Sequence, residues 1–114
     1  MAGERLPTMA RVRVELLYFD GCPSYEALLS RVERLLAELG RAEQLELVRI
    51  ASLEEADAQR FLGSPTLRVD GRDVEPGAGE RTDFGMQCRI YRSSDGLRPT
   101  PSDELIAAAF RSAA

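Results

Sequence analysis

Apolar residues along this chain alternate between short continuous runs and stripes at helical spacing. The runs over residues 12–19, 45–50 and 66–69 are typical of strands buried in a sheet. Residues 23–39 instead carry apolar side chains three and four positions apart, which predicts an amphipathic helix between the first two strands. The predicted buried stripe of this helix consists of Leu28, Val32, Leu35 and Leu39, widened by Leu29 and Leu36. The order of strand, helix and strand predicts an α/β fold.

Local capping and turn signals extend this alternation. Ser52, followed three residues later by a glutamate, forms a capping box that predicts a short helix over residues 52–61. The Asp-Gly dipeptide at 70–71 is a strong signal for a two-residue hairpin turn. The strand at 66–69 is therefore expected to return as a strand over residues 72–75.

The pattern beyond this hairpin is less regular. Residues 76–86 form a glycine-rich connection, and residues 88–92 predict one more strand, followed by a Ser-Ser-Asp-Gly turn. A last helix is expected to begin at Thr100, with this threonine as its cap and Pro101 in its first turn. The buried face of this helix is predicted to consist of Leu105, Ile106, Ala109 and Phe110.

Composition and charge narrow the function. The chain has 114 residues, of which 44% are hydrophobic and 30% charged, which predicts one globular domain over residues 11–114 after a flexible N-terminal extension over residues 1–10. The net charge of −4 argues against nucleic acid or an anionic membrane as the main partner. All 15 basic residues are arginine, so lysine Schiff-base chemistry, histidine metal sites and a Cys-His dyad are excluded.

The sequence also predicts a cytoplasmic location. The residues before the first strand contain no apolar run of the kind that a signal peptide needs, and no stretch of the sequence is long enough to span a membrane. Structural disulfides are rare in the cytosol. Cys22 and Cys88 are therefore expected to be free or redox-active rather than permanently joined.

Cys22 is the strongest candidate for chemistry because of its neighbours. The first predicted strand breaks at Asp20 and Gly21, and Cys22 stands where the first helix is expected to begin. Unpaired backbone N–H groups and the positive end of the helix dipole stabilise a thiolate at such a position. A thiolate is both a nucleophile and a ligand for soft metals. The position predicts thiol chemistry and leaves the reaction open.

A second motif, Gly-Ser-Pro-Thr over residues 63–66, precedes the third predicted strand. Together with the Phe-Asp-Gly-Cys-Pro motif at residues 19–23 and the βαβα order, it makes the chain resemble the thioredoxin-like superfamily. The chain also resembles a group of small bacterial members, some of which are labelled alkylmercury lyase by similarity. The resemblance to the superfamily covers about residues 12–75 and 101–110. It implies a three-layer α/β/α sandwich with a mixed central sheet. The loop and extra strand predicted over residues 76–92 are then an insertion before the last helix.

The resemblance also implies how a site would be built. Members carry a catalytic cysteine at the start of the first core helix, matched here by Cys22, and a cis-proline loop that faces it, matched by Pro65. The local motif reads Cys-Pro-Ser-Tyr, so Tyr25 stands where thioredoxins carry the resolving cysteine. A thioredoxin cycle within this motif is therefore impossible, and a second thiol has to come from Cys88 or from another molecule.

The first function that remains is a thiol-dependent oxidoreductase. Cys22 attacks a disulfide or a peroxide-derived sulfur, and Cys88 or an external low-molecular-weight thiol resolves the mixed disulfide. The expected partner is a disulfide-containing protein or a low-molecular-weight thiol, and no cofactor is expected. Asp20 is a third candidate catalytic residue, as a cap or a proton donor. Substrate contacts are expected from Pro23, Tyr25, Ser64, Pro65, Thr66 and Arg81.

Two further functions stay open. A protein that handles mercury or organomercurials would bind the metal through Cys22 and Cys88, and Asp20 or Asp83 would protonate the departing carbon. A thioredoxin-like binding module would carry out no chemistry. Both mechanisms that use two thiols require Cys88 to lie beside Cys22, with Cα atoms within about 7 Å for a disulfide, so the distance between the two cysteines decides between one-thiol and two-thiol mechanisms.

Overall fold

The computed structural model describes residues 13–40 and 45–113, so the extension expected over residues 1–10 lies outside the described residues. Within these residues the chain forms β1 (Val14–Tyr18), α1 (Tyr25–Glu38), β2 (Leu45–Arg49), α2 (Leu53–Ala58), β3 (Thr66–Val69), β4 (Arg72–Asp73), a 3₁₀ helix (Ala78–Glu80), β5 (Tyr91–Ser93), β6 (Gly96–Arg98) and α3 (Asp103–Ala113). The predicted order of strands and helices up to β4 is confirmed. The predicted last helix is also present.

A mixed four-stranded sheet organises the fold, with strand order β2-β1-β3-β4. β1 runs parallel to β2 and antiparallel to β3, so that Leu16 pairs with Leu47 on one side and with Leu67 on the other. The predicted hairpin joins β3 to β4 through Asp70 and Gly71, whose φ angles are +53° and +81°. Such left-handed angles suit aspartate and glycine and match the right-handed twist of the strands. The α/β class with a mixed sheet is therefore confirmed.

Apolar residues cover both faces of this sheet because side chains alternate along β1. Val14 and Leu16 lie in one buried cluster, and Leu17 lies in another. The first cluster joins the sheet to α1 and α3 through Leu28, Val32, Leu35, Leu36, Leu67, Val69, Val74, Ile106 and Phe110. The second joins it to α2 through Ile50, Ala56 and Phe61. Each fully buried aliphatic side chain contributes about 1.5–3 kcal/mol relative to an exposed one.

The boundaries of the first helix differ from the prediction. α1 begins at Tyr25 with Ser24 as its N-cap, so Pro23 precedes the helix instead of opening it. The helix ends at Glu38, and Leu39, predicted as part of the buried stripe, is 41% exposed. Leu39 is the C-cap residue, where the chain leaves the helical path and no longer follows its apolar face.

The cap of the last helix also differs from the prediction. The hydroxyl of Ser102, and not that of Thr100, accepts a hydrogen bond from the backbone N–H of Leu105 at 3.1 Å. The hydroxyl of Thr100 instead accepts a bond from the guanidinium of Arg31 in α1. Because this guanidinium also pairs with Asp103 at 2.7 Å, it ties α1 to the start of α3.

The strand predicted over residues 88–92 is displaced. β5 comprises Tyr91–Ser93 and pairs with β6 across the expected Ser-Ser-Asp-Gly turn, in a separate two-stranded sheet. Cys88 lies before this strand and forms an isolated parallel bridge with Ser64. Here the chain is held by two buried residues, Arg89 and Tyr91, which make tertiary contacts with other elements.

Candidate functional site

Cys22 lies in the turn that connects β1 to α1. Its backbone N–H donates to the carbonyl of Phe19 at 3.3 Å, and Gly21 between them adopts a φ of +87°. The residue is buried, with 6% of its surface exposed. It precedes the N-cap Ser24 by two residues, so it stands outside the helix rather than in its first turn. Since the field of a helix falls off within one turn, the dipole acts on this sulfur less directly than the sequence predicts.

The Gly-Ser-Pro-Thr motif forms a buried loop beside this turn. Its Ser64–Pro65 peptide bond is cis, as the resemblance implies. The hydroxyl of Ser64 accepts a hydrogen bond from the N–H of Phe19 at 3.3 Å, and the hydroxyl of Thr66 donates to the carbonyl of Gly63 at 2.6 Å. The cis-proline loop, residues 63–66, is therefore attached to the end of β1 that leads into Cys22.

Residues 85–91, which we name the edge segment, run along the other side of this loop. The N–H of Ser64 donates to the carbonyl of Gln87 at 2.8 Å, and the N–H of Arg89 donates to the carbonyl of Ser64 at 3.0 Å. The two bonds flank Cys88 and place it opposite Ser64, with its thiol group on an exposed residue. Sequence patterns did not predict this pairing, because the two segments are distant in the chain.

Ser64 is thus shared by the surroundings of both cysteines. Its hydroxyl contacts Phe19, three residues before Cys22, and its backbone pairs with both neighbours of Cys88. Neither cysteine forms a disulfide in the described part of the chain. The cis-proline loop is therefore bonded to the strand end before the buried Cys22 and to the segment that contains the exposed Cys88.

The carboxylates proposed as proton donors are engaged in ion pairs. Asp20 accepts two bonds from Arg49, at 2.7 and 3.0 Å, and these hydrogen bonds hold the pKa of its carboxyl below the usual 3.8. Asp83 is paired in the same way with Arg81, whose hydrogen bonds lower the pKa of the Asp83 carboxyl. Both groups are therefore carboxylates near neutral pH, and neither is prepared to donate a proton. Arg81 is correspondingly occupied by the protein itself and is not held towards a substrate.

Over residues 13–40 and 45–113, no group of three or more cysteine, aspartate or glutamate residues is arranged to hold a metal ion. The mercury mechanism needs only two thiol ligands, with a carboxyl group as the proton donor. Both candidate donors, Asp20 and Asp83, are in ion pairs.

Tyr25 lies near Cys22, as the sequence predicts, but its ring is already packed. It stacks on Tyr18 with ring centroids 4.1 Å apart and an angle of 15° between the planes. Desolvation and then the charge of Glu26 raise the pKa of the Tyr25 phenol, with a smaller contribution from Cys22. The Tyr25 phenol is therefore neutral near pH 7. Pro23 is exposed beside it.

A buried ion cluster that sequence reasoning missed anchors the edge segment. The guanidinium of Arg89, of which 1% is exposed, donates to both carboxylate oxygens of Asp73 at 2.7 and 3.0 Å and to Glu75 at 2.8 Å. It also donates to the hydroxyl of Thr66 at 2.9 Å and lies 4.6 Å from the ring centre of Tyr91. Its Nε has no hydrogen-bond partner in the described residues.

Tyr91 completes this anchor. Its hydroxyl donates to the carbonyl of Pro65 at 2.6 Å, and its ring is fully buried. Burial raises the pKa of the Tyr91 phenol well above its usual range, so the hydroxyl keeps its proton. The sequence indicated this cluster only by an arginine two residues before a tyrosine. That pattern is a weak signal for a buried ion pair, because arginine is mostly a surface residue.

Comparison with protein-family models, curated proteins and solved structures finds no match to this chain. Among the helices that the structure describes, none is both long and apolar enough to cross a membrane.

Proposed function

We propose that this protein is a thiol-disulfide oxidoreductase with a thioredoxin-like fold. Three features support the fold assignment: the strand order β2-β1-β3-β4, the packing of α1 and α3 on one face of the sheet with α2 on the other, and the cis-proline loop before β3. Together they correspond to the three-layer arrangement that the sequence motifs imply.

The observation that carries the functional proposal is that Ser64 is hydrogen-bonded both to the strand end before Cys22 and to the segment that contains Cys88. Its hydroxyl accepts from the N–H of Phe19, three residues before Cys22, and its backbone pairs with both neighbours of Cys88. A nucleophilic thiol and a second thiol on segments bonded to one loop support thiol-disulfide exchange. The paired state of Asp20 and Asp83 gives no comparable support to a metal-handling function.

The reaction balances with two thiols and no cofactor. The thiolate of Cys22 attacks one sulfur of a disulfide, forms a mixed disulfide and releases the other half as a thiolate. Cys88 or an external thiol then attacks the Cys22 sulfur. The second half leaves as a thiol, and the electrons come from the pair of thiols that becomes a disulfide. A low-molecular-weight thiol present in excess regenerates the protein.

Turnover of hydroxyethyl disulfide by glutathione, followed with a coupled glutathione reductase, tests the proposal. We expect Cys22→Ser to abolish turnover, because in this mechanism Cys88 acts only on the mixed disulfide that Cys22 forms. Cys88→Ser is the matched control: it slows turnover and accumulates a mixed disulfide on Cys22 if Cys88 resolves, and it leaves turnover intact if glutathione resolves. Full activity of Cys22→Ser, or no activity of the wild-type protein, would contradict the proposal.

A further inference from the structure

On the basis of the proposed function, we infer that the substrates of this protein are small disulfides and that the edge segment excludes polypeptide disulfides from the cis-proline loop. The inference concerns the substrate class of the same site. It follows from the hydrogen bonds that the loop already makes within its own chain.

A polypeptide that docks along a sheet edge needs unpaired N–H and C=O groups on that edge. At Ser64 both groups are used: the N–H donates to Gln87 and the carbonyl accepts from Arg89. On the other side of the loop, the hydroxyl of Ser64 accepts a hydrogen bond from the N–H of Phe19. The edge segment therefore occupies the place that a substrate strand would need for backbone pairing at Ser64.

The contact between loop and edge segment is also too close to admit a second chain. Gly63 has a φ of +131°, and a Cβ atom built on it would lie 2.8 Å from the carbonyl oxygen of Gln87. A separation under 3.0 Å requires a shift of the backbone, so only glycine fits there. A polypeptide substrate would have to displace the edge segment before it reached the loop.

Several contacts oppose that displacement. The N–H of Gly85 donates to Phe61 at 3.0 Å, and the side-chain amide of Gln87 donates to the carbonyls of Leu62 at 3.1 Å and Asp83 at 2.7 Å. Arg89 and Tyr91 add the buried bonds described above, and lifting them would separate a guanidinium from its carboxylates. The edge segment is therefore a permanent part of the site.

The burial of Cys22 points in the same direction. With only 6% of the residue exposed, Cys22 offers little surface to an approaching polypeptide. A disulfide of two small thiols needs less space around the sulfur. A disulfide within a folded protein has a polypeptide segment attached to each of its two sulfur atoms. Cys22 exchanges with the small disulfide by the two steps of the proposed function, and an external small thiol is the reductant.

The experiment compares hydroxyethyl disulfide with insulin as substrates of the full chain. We expect the wild-type protein to reduce the small disulfide at least about tenfold faster per disulfide bond. Gln87→Ala, which removes the side-chain hydrogen bond from the edge segment to the carbonyl of Leu62, is expected to raise the insulin rate while the small-disulfide rate stays within about twofold. Ile90→Ala, a change at a 61% exposed residue of the same segment, is the matched control and should alter neither rate.

Amide hydrogen exchange supplies a readout that does not depend on activity. We expect slow exchange at Ser64 and Arg89 in the wild-type protein and faster exchange in Gln87→Ala. Equal wild-type rates on insulin and the small disulfide would overturn this inference and leave the proposed function standing. Fast exchange at both amides in the wild type would also overturn it. No exchange chemistry with either substrate would overturn the proposed function itself.

Discussion

Replacement of Arg89 by methionine tests the largest electrostatic feature of the fold. The variant keeps an apolar side chain of similar length but removes the guanidinium that donates hydrogen bonds to Asp73, Glu75 and Thr66. Asp73, with 10% of its side chain exposed, then has no ion-pair partner in the described residues, and Glu75, 22% exposed, keeps only Arg81 at 3.4 Å. Breaking a buried pair from one side costs about 3–5 kcal/mol, because the remaining charge stays desolvated.

This loss is large against the stability of a domain of this size, which is typically about 5–15 kcal/mol. With a urea dependence of about 2 kcal/mol per molar, a loss of about 4 kcal/mol lowers the unfolding midpoint by about 2 M. Urea titrations followed by far-ultraviolet circular dichroism measure this shift directly. The three-helix content of the described chain provides the signal.

Two further variants test whether the loss of stability comes from the buried ion pair. Arg92→Met removes an exposed arginine three residues along and should change the free energy of unfolding by no more than about 0.5 kcal/mol. Asp73→Asn, alone and with Arg89→Met, closes a double-mutant cycle that isolates the coupling of the pair. A loss below about 1 kcal/mol for Arg89→Met, or a loss equal to that of Arg92→Met, would refute the argument from buried charge.

Two smaller changes probe the other polar contacts. Hydrogen bonds from Arg31 lower the pKa of the Asp103 carboxyl below 3.8, so the stability that Asp103 adds over Asp103→Asn is present above pH 3.8 and lost as the pH falls through the lowered pKa. Because this pair is partly exposed, we expect about 0.2–1 kcal/mol near neutral pH in urea titrations, and a difference that persists in strong acid would contradict the linkage. Tyr91→Phe leaves the carbonyl of Pro65 without its donor and should cost about 1 kcal/mol, or about 4 °C in thermal unfolding, whereas the exposed change Leu97→Ala should cost less. An unchanged Tm for Tyr91→Phe would show that the bond adds no net stability.

The sequence predicted the elements of the main sheet because their signals are local. Hydrophobic spacing distinguishes β1 from α1 within one or two turns, and the Asp70-Gly71 turn carries its own backbone preference. The cis bond at Ser64–Pro65 was expected from the resemblance and not from any local rule, since most bonds before proline are trans. The ends of α1 were less predictable, because capping at Ser24 and Leu39 depends on where the chain turns away.

Half of the candidate site was therefore determined by sequence alone: a cysteine after the first strand and a proline before the third. Tertiary structure decided the other half. Only the folded chain shows that Cys88 pairs with Ser64, that Asp20 is held by Arg49, and that Arg89 is buried. Each of these contacts joins residues far apart in sequence, and a pairwise attraction between charges or backbone groups has no period along the chain from which it can be predicted. Such a contact forms only when tertiary packing brings the two segments together.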